Sequence, residues 1–372
     1  MNILIYFPYN LRTVEQQSVM EMLVKQGHNL NLLTTCERGY LHDYVEKLGI
    51  KTDAVTLKSS AGKWRFYASN LRKLASVIEK DKIEVVVAHQ QIPALLAGIL
   101  RKIRSFKLVY IRHNSDEDYM STPAKAKWLN KITNWLTPIK VAPSSVVEGH
   151  WVQQEKVAKG QIQRINYGYN FRQYESPNVI KVEEIKSQFP TVLRILSVAR
   201  LVPAKRHKFM FEVISKLVTA GIDCKLICLG TGHLGNELQA LVKQMGLTDH
   251  VFFPGRKENV FDYIGASDIF IHLSFSEASN SAVKEVGLCQ KPVIVCKGVG
   301  DFEDYIIHEQ NGFLVDKNDP VPETLSILKR MALGEIDPVV VGSKLFSTVT
   351  TKFDIANVGL AYEQLLKGKL IV

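Results

Sequence analysis

Short apolar runs alternate with amphipathic helical patterns along almost the whole chain of 372 residues, and no other feature constrains the fold as strongly. Such runs are typical of strands that are buried on both faces of a parallel sheet. Parallel neighbours need a crossover segment between them, which is usually a helix. The alternation therefore predicts an α/β fold in which helices cover both faces of parallel sheets.

The alternation falls into two series. The first is NILIYF (2–7), LNLLT (30–34), EVVVA (84–88), KLVYI (107–111) and KVA (140–142), and the second is RILSV (194–198), KLICL (225–229), VFF (251–253), IFIHL (269–273), VIVC (293–296) and GFLV (312–315). Residues 171–190 are polar, contain two prolines and carry no strand, which indicates a linker with a short helix. The predicted domains are residues 1–170 and 191–345, and the last helix, about 352–372, is expected to pack back on the first domain.

The excess positive charge lies in the first half. Residues 1–180 hold 25 basic and 15 acidic side chains, whereas the remainder holds 22 of each, so the net charge of +10 belongs to the first part. We expect this half to bind an anionic partner. The charge alone is compatible with a membrane surface, a phosphorylated lipid or nucleic acid. No apolar run approaches the ~18 residues that span a bilayer. Five cysteines without a C-x-x-C pair, and no signal peptide, favour the cytoplasm.

A glycine loop follows the strand CKLICL. Gly230, Gly232 and Gly235 have the spacing G-x-G-x-x-G that binds dinucleotides, and Glu258 is the only passable ribose ligand downstream. In the dinucleotide fold, however, this loop follows the first strand, and here RILSV comes earlier. A tight turn that needs glycine is therefore the favoured interpretation over an NAD site. A third interpretation places a phosphate near the helix N-terminus.

Two cations follow the opening strand of the second domain. Arg200 and Lys205 stand in SVARLVPAKRH, at the end of the strand where ligands bind in parallel α/β sheets. An arginine fork and a mobile lysine charge suit a diphosphate. Taken alone, the segment is also compatible with a solvated basic turn.

Two acids flank a predicted helix start in SFSEASNSAVKE. Glu277 and Glu285 are eight residues apart, and Ser279, Asn280 and Ser281 supply N-cap chemistry, so a helix is predicted from about 281. Its free N–H groups can bind an anion or a hydroxyl. The alternative is a pair of surface acids at chance spacing.

The order of these segments is more specific than any one of them. ARLVPAK, LGTGHL, DHVFFPGR, GASDIFIHLS, SEASNSAVKE, GLCQKPVIV and NGFLV follow one another between residues 199 and 315. This set resembles the donor half of glycosyltransferase family 4, a family of retaining enzymes. The resemblance implies the GT-B architecture: two facing Rossmann-like domains with the active site in the cleft between them, and a glycine loop at Gly230 that carries no NAD.

The resemblance also implies roles for individual residues. Arg200 and Lys205 match the pair that holds the donor diphosphate, and Glu277 matches the acid near the donor sugar. Glu285 matches the ribose-binding acid, and Arg256 lies on the loop near the base. Ser279, Asn280 and Ser281 belong to the same donor site.

In the first half, His113 in KLVYIRHNSDED matches a histidine that contacts the donor sugar. IKVAPSSVVEGH resembles the family's strand–serine–helix element, with Ser144 or Ser145 opening the helix. The segment PYNLRT, 8–13, departs from the family's usual glycine pair. Asp116 and Asp118 form a D-x-D sequence, a metal–nucleotide motif of another glycosyltransferase fold, but a solvated acidic turn is the favoured interpretation.

The implied enzyme is a metal-independent glycosyltransferase that needs no cofactor. Its donor is expected to be a UDP-sugar and its acceptor a hydroxyl of a glycan or lipid-linked glycan in cell-envelope polysaccharide or lipopolysaccharide synthesis. A nucleotide-sugar 2-epimerase of similar fold is one alternative, but the extra acids and histidines for elimination are not evident. A basic nucleic-acid-binding protein is another, but no recognised module is visible.

A basic aromatic segment suggests where the first domain meets an anionic surface. Lys63, Trp64, Arg65, Arg72 and Lys73 lie in a predicted amphipathic helix within 58–82. Anionic lipid attracts such cations, and tryptophan suits the lipid interface. This interpretation places the protein on the cytoplasmic face of the inner membrane, and the alternative is an ordinary helix with solvated cations.

Overall fold

The computed structural model describes residues 1–56, 62–113 and 123–368, with the side chains of 123–126 excepted. The chain forms two compact units. The first comprises Met1–Arg172 and the chain from Phe353 onward, and the second comprises Gln173–Lys352. The stretch 173–190, expected to be part of a linker, thus belongs to the second unit, where its helix packs against a neighbouring helix.

The first unit is built on seven strands: β1 Asn2–Phe7, β2 Asn29–Thr34, β3 Lys51–Ala54, β4 Val85–His89, β5 Lys107–Ile111, β6 Ile139–Ala142 and β7 Ile162–Arg164. Their order is β3-β2-β1-β4-β5-β6-β7, and all neighbours are parallel. The order reverses between β1 and β4, as in doubly wound sheets. The sequence did not predict β3 and β7, which are short strands without a fully apolar run.

The helices of the first unit are α1 Val14–Lys25, α2 Tyr40–Glu46, α3 Lys63–Lys80, α4 Gln91–Leu100, α5 Pro123–Leu136, α6 Ser145–Gly149 and, from the C-terminal segment, α14 Ile355–Leu366. Helices α1, α2 and α14 share one core with the sheet, to which α14 contributes Val358, Tyr362, Leu365 and Leu366. Helix α4 packs against both α3 and α5. Ser144 is the N-cap of α6, where its Oγ accepts from the N–H of Val147 at 3.3 Å.

The second unit has six parallel strands: β8 Leu193–Val198, β9 Cys224–Leu229, β10 Val251–Gly255, β11 Ile269–His272, β12 Val293–Cys296 and β13 Phe313–Val315. Their order is β10-β9-β8-β11-β12-β13. Its helices are α7 Val179–Gln188, α8 His207–Thr219, α9 Gly235–Gln244, α10 Val260–Ala266, α11 Ser281–Leu288, α12 Val321–Ala332 and α13 Pro338–Lys352. The predicted fold class, α/β with parallel sheets, is confirmed.

Candidate functional site

In the second unit, the sheet order reverses between β8 and β11, which are hydrogen-bonded neighbours. At such a point the loops after the two strands separate and leave a crevice beyond their carboxyl ends, where ligands bind in open α/β sheets. The loop 199–206 follows β8 and the loop 273–280 follows β11. The topology therefore assembles Arg200, Lys205 and Glu277, which are far apart in sequence, at one edge of the sheet.

Lys205 and Glu277 form an ion pair at this edge. Nζ of Lys205 donates to Oε1 of Glu277, and the same oxygen accepts from Nε2 of His272 at 2.7 Å. Burial alone would raise the pKa of Glu277, but hydrogen bonds and charges from His272 and Lys205 outweigh it and hold that pKa well below its usual range. Glu277 is therefore an anion at neutral pH.

His272 is a component of the site that the sequence interpretation missed. Because the Glu277 carboxylate can only accept, Nε2 of His272 carries the hydrogen, and the Nδ2 of Asn280, 3.1 Å away, cannot donate to it. The ring is stacked on Phe270 and meets Phe302 edge-on. Its buried Nδ1 has no hydrogen-bond partner among the described residues. Its position at the end of a central strand was the signal that could have identified it.

The loop 199–206 contains two further cations, Arg200 and Arg206, whose surroundings differ. Arg200 is exposed, and none of the described acids lies within ion-pair distance of it. Arg206, which the sequence interpretation did not single out, has a left-handed backbone with φ 52°. Its guanidinium donates to the carbonyl oxygens of Leu273 at 2.7 Å and of Lys317. Arg206 thus fixes the loops around the site, whereas Arg200 is accessible to a ligand.

The predicted helix start is observed at Ser281. Asn280 is the N-cap of α11, and its Oδ1 accepts from the N–H of Val283 at 3.1 Å. The first N–H groups of a helix have no acceptor within it, so this end can bind an anion or a hydroxyl. Glu285 is half-buried one turn inside the helix. Ser281 is exposed at the mouth.

Ser279 has a role that the sequence did not show. Its hydroxyl donates to Oδ2 of Asp301 at 2.6 Å and accepts from Nζ of Lys284 at 2.9 Å. Lys284 and Asp301 form an ion pair at 2.5 Å and are only 1% and 0% exposed. Burial raises the pKa of Asp301 and lowers that of Lys284, while their mutual attraction opposes both shifts. This buried pair holds the loop that ends at Asp301 against α11.

The same loop supports Glu277 directly. Gly300 has φ +57°, and a Cβ built on it would lie 2.9 Å from the Cβ of Glu277. A side chain at this position would displace the carboxylate from Lys205, because both the backbone conformation and the space require glycine. The geometry of the Lys205–Glu277 pair therefore depends on residues about twenty positions downstream.

The glycine loop serves close packing between two turns. Gly230 has φ +131°, and a Cβ on it would overlap the carbonyl oxygen of Ala199 and lie 2.9 Å from the carbonyl carbon. A Cβ on Gly232 would lie 2.7 Å from the nitrogen of Leu201. The loop follows β9, the second strand of the unit, and not β8. These contacts favour the tight-turn interpretation, and they position the backbone next to Arg200.

Arg256 lies beyond the next strand. It is exposed and follows Gly255, whose φ is +80° and whose carbonyl oxygen accepts from the N–H of Gly230 at 3.0 Å. The turn that carries Arg256 is thereby tied to the glycine loop.

The first unit has a histidine cluster at its own reversal point. Nδ1 of His89, the last residue of β4, lies 2.8 Å from Nε2 of His113, and the two rings are stacked. Nδ1 of His113 contacts the hydroxyl of Tyr167. Phe7, at the end of β1, meets both imidazoles edge-on. Both ring nitrogens of His113 therefore have protein partners, and a sugar hydroxyl would have to replace one of them.

Burial keeps both histidines uncharged at neutral pH. It lowers the pKa of His113 to about 4. Burial, followed by the charge of His113, also lowers the pKa of His89 well below its ordinary value. The cluster can hold or pass a hydrogen bond, but it does not present a cation to a ligand.

A buried ion pair fixes the residue that precedes His113. Nη1 of Arg112 donates to Oε1 of Glu155 at 2.6 Å, and both side chains are buried. Amide groups of Asn130 and Asn134 donate to the same carboxylate. Burial alone would raise the pKa of Glu155, but its hydrogen bonds and the charge of Arg112 lower it to about 2.

The basic segment of α3 is only partly available. Lys63, Trp64, Arg65 and Arg72 are exposed, and Trp64 has 88% of its surface in contact with solvent. Lys73 forms an ion pair with Asp53 at 2.5 Å. The apolar stripe of the same helix, Leu74, Val77 and Ile78, is buried in the unit.

Asp116, Glu117 and Asp118 lie outside the described residues. Within the described ranges, no group of three His, Cys, Asp or Glu side chains could hold a metal ion. The helices of those ranges are also too short or too polar to cross a membrane.

Two doubly wound parallel sheets, one with cations and a helix mouth at its reversal point, are typical of nucleotide-binding α/β proteins. The family description "Glycosyltransferase Family 4" matches residues 17–172, and "Glycosyl transferases group 1" matches residues 181–325. The chain belongs to the glycosyltransferase family that these two descriptions define.

Several named proteins are similar over part of their length. N-acetyl-alpha-D-glucosaminyl L-malate synthase from Bacillus anthracis is 23% identical over 253 residues, which span 66% of this chain and 65% of that protein. The O-antigen biosynthesis glycosyltransferase WbnH from Escherichia coli is 24% identical over 67% of this chain and 68% of its own. An N-acetylgalactosaminyltransferase from Campylobacter jejuni, whose name includes diphospho-undecaprenol, is 30% identical over 33% of each chain.

Solved structures match the whole chain. Anabaena Alr3699/HepE in complex with UDP has a TM-score of 0.81 at 17% identity, covering 99% of this chain and 100% of that one. Sucrose-phosphate synthase from Thermosynechococcus elongatus has a TM-score of 0.80 at 15% identity, covering 99% of both chains. At these identities the likeness establishes the fold, which is that of GT-B glycosyltransferases.

Proposed function

We propose that this protein is a retaining, metal-independent glycosyltransferase that uses a nucleotide-diphospho-sugar donor, with UDP as the expected nucleotide. The observation that carries the proposal is the reversal point of the second unit, where the loop with Arg200 and Lys205 and the loop that leads from Glu277 to the mouth of α11 follow neighbouring strands, and Lys205 pairs with Glu277. Cations and free N–H groups in this arrangement suit a diphosphate. The UDP complex of the similar Anabaena protein supports the choice of nucleotide.

The chemistry follows from where charge develops. The bond between the anomeric carbon and the diphosphate oxygen breaks, and the acceptor oxygen bonds to the same face of that carbon. The departing phosphate oxygen takes the acceptor proton, so a separate protein base is not required. Arg200, Lys205 and the helix mouth stabilise the growing negative charge on the diphosphate.

In this proposal, Glu277 lies near the donor sugar and also holds Lys205 in place. A lysine ammonium has three hydrogens, so one bond to Glu277 leaves donors for the diphosphate. Glu285 binds the ribose hydroxyls, and Arg256 lies near the base. Among the N-cap residues, Asn280 and Ser281 line the donor site directly, whereas Ser279 supports it through Asp301.

The acceptor is proposed to be a hydroxyl of a glycan or lipid-linked glycan of the cell envelope, bound by the first unit, with His113 orienting the donor sugar. Similar proteins named for O-antigen synthesis and for a diphospho-undecaprenol substrate support this class. We propose a cytoplasmic protein that associates with the inner membrane, to which the exposed α3 residues Lys63, Trp64, Arg65 and Arg72 contribute.

A donor screen tests the proposal. The protein is incubated with UDP-, GDP- and ADP-sugars, and thermal stabilisation and slow release of nucleoside diphosphate are measured in excess EDTA. Arg200→Ala and Lys205→Ala are each expected to weaken UDP binding about ten- to hundredfold, because a charge-assisted hydrogen bond is lost. Lys208→Ala is the matched control, since Lys208 is a nearby exposed cation paired with Glu237.

Equal UDP affinity in all three variants would contradict the site, and loss of activity with EDTA that metal restores would contradict metal independence. Conversion of the donor to its 2-epimer without an acceptor would identify the alternative enzyme.

A further inference from the structure

Two tryptophans on the first unit are exposed on one face of a helix. Trp128 and Trp135 of α5 are 65% and 73% exposed. They are seven residues apart, which is about two helical turns, so they point to the same side at a separation of roughly 10 Å along the axis. Single exposed apolar residues are ordinary, but two aligned tryptophans are a patch that indicates an interaction site.

Cations accompany both tryptophans. Lys131 lies between them on the same side of α5, and Lys127 is exposed beside Trp128. Lys102, just after α4, places its Nζ 4.2 Å from the centre of the Trp135 ring. Ile103, next to Lys102, is 70% exposed. We call this surface the tryptophan–lysine face; it consists of Lys102, Ile103, Lys127, Trp128, Lys131 and Trp135.

No acid neutralises the face within its own segments. Residues 99–104 and 123–136 contain arginine and lysine but neither aspartate nor glutamate. Two acids among the described residues reach these segments: Glu79 of α3 pairs with Arg104, and Glu155 is buried, where it pairs with Arg112 and accepts from the amides of Asn130 and Asn134. The remaining positive charge is directed to solvent.

The opposite side of α5 holds the helix in the unit. Asn130 and Thr133 are buried, and Leu136 packs where Gly98 of α4 leaves room. Asn134 is hydrogen-bonded to Glu155. The contacts that fix the helix therefore do not use the two tryptophans, which the described part of the chain leaves exposed.

We propose that the tryptophan–lysine face docks the first unit on an anionic lipid surface. Tryptophan favours the boundary between headgroups and acyl chains, and lysine stems extend along apolar surface while their charges reach the phosphates. The positive charge of residues 99–104 and 123–136 complements anionic lipid. The two tryptophans are spaced along one side of α5, as in a helix that lies in the lipid interface. This inference rests on the face alone and does not depend on the proposed sugar transfer.

The face differs from the basic segment of α3. Trp64 is a single exposed tryptophan, and Lys73 of that segment is neutralised by Asp53. Helix α4 separates α3 from α5, since it packs against both. The two surfaces can therefore be tested by separate substitutions.

Co-sedimentation with vesicles tests the inference. Wild-type protein is expected to bind vesicles that contain phosphatidylglycerol, but not pure phosphatidylcholine, and high salt should release it. Trp128→Ser with Trp135→Ser should weaken binding roughly tenfold or more. Lys127→Ser with Lys131→Ser should weaken it roughly fivefold per lysine at low salt.

Two controls separate this face from a general charge or tryptophan effect. Lys216→Ser with Lys243→Ser removes two exposed cations from the second unit and should bind as wild type does. Trp64→Ser measures the separate contribution of α3 and should weaken binding less than the Trp128/Trp135 variant does. Thermal unfolding checks that each variant is folded, and bromine-labelled acyl chains should quench the fluorescence of the wild type more than that of the Trp128/Trp135 variant.

Equal binding by the wild type and the Trp128/Trp135 variant would overturn the inference, and so would a larger loss of binding in Trp64→Ser than in that variant. A different result would be a wild-type protein that binds neither kind of vesicle but forms a dimer, and a Trp128/Trp135 double substitution that abolishes this dimer. It would show that a second copy of the chain covers the face instead. UDP binding is measured in parallel, so a failure of the donor site is distinguished from a failure of docking.

Discussion

Substituting alanine for Gly230 tests what the glycine loop does. The residue has φ +131°, and an added Cβ would overlap the carbonyl oxygen of Ala199. Backbone in such a sparsely populated conformation costs a residue with a side chain about 1–3 kcal/mol. Relieving the overlap adds an overpacking cost of about 1–3 kcal/mol. The expected loss of about 2–6 kcal/mol is a large part of the roughly 5–15 kcal/mol that stabilises a typical domain.

The substitution should also affect the proposed donor site. Ala199 precedes Arg200, so a shift that relieves the overlap moves the exposed guanidinium away from the proposed diphosphate position. Chemical denaturation should show unfolding of Gly230→Ala at a lower denaturant concentration than wild type. Under conditions in which the variant is folded, calorimetry should show weaker UDP binding, by about tenfold.

Gly235→Ala is the matched control within the same motif. Its Cβ would lie 3.6 Å from Cδ1 of Leu201, an ordinary contact, at the first residue of α9. Its stability should stay within about 1 kcal/mol of wild type, because alanine restricts the unfolded chain without straining the helix. If Gly230→Ala unfolds at the same denaturant concentration as Gly235→Ala, the packing argument is wrong. Stabilisation by NAD would restore the dinucleotide interpretation.

Three further outcomes are expected. Glu277→Gln removes the charge that Lys205 faces, so UDP affinity should be retained while donor turnover falls; a tenfold loss of affinity in a binding titration would contradict this. Lys284→Met leaves Asp301 buried without its cation and should cost about 3–5 kcal/mol in denaturation, whereas adding Asp301→Leu should recover most of it. Because burial lowers the pKa of His113 and of His207 to about 4, the unfolded chain binds protons first as the pH falls. Each histidine should therefore remove up to about 3 kcal/mol of stability between pH 6.5 and 4, and a pH profile unchanged by His207→Asn would refute the assignment.

The sequence predicts most strands because burial on two faces leaves a clear apolar signature. It predicts β8 to β13 and five strands of the first sheet, but not β3, which reads KTDA and is only partly buried. Strand β7 has three residues, IQR, and ends exposed. Helices α10 and α13 were also not predicted. Edge strands are recognised by pairing with a neighbour, and pairing is not visible in local periodicity.

The sequence singled out those candidate residues whose chemical type and place after a strand or at a helix start are both informative. Arg200, Lys205, Glu277 and Asn280 follow strands or open a helix, and the topology brings their loops to one edge. His272 and Arg206 were missed because their roles come from contacts across sequence gaps: a carboxylate five residues on, and the carbonyls of Leu273 and Lys317. Ser279 was expected to belong to the donor site, but its hydroxyl binds the buried Asp301, a contact that no local pattern indicates.

The path of the chain has a consequence for synthesis. Helix α14 supplies Tyr362 and Leu365 to the core of the first unit, yet it follows all of the second unit along the chain. On a ribosome, the first unit therefore emerges early but lacks part of its apolar interior until α14 has been translated. The second unit, which is continuous from Gln173 to Lys352, can close its own core first. A helix made after the whole second unit thus completes the core of the first, and a chain truncated before Phe353 leaves that interior open to chaperones and proteases.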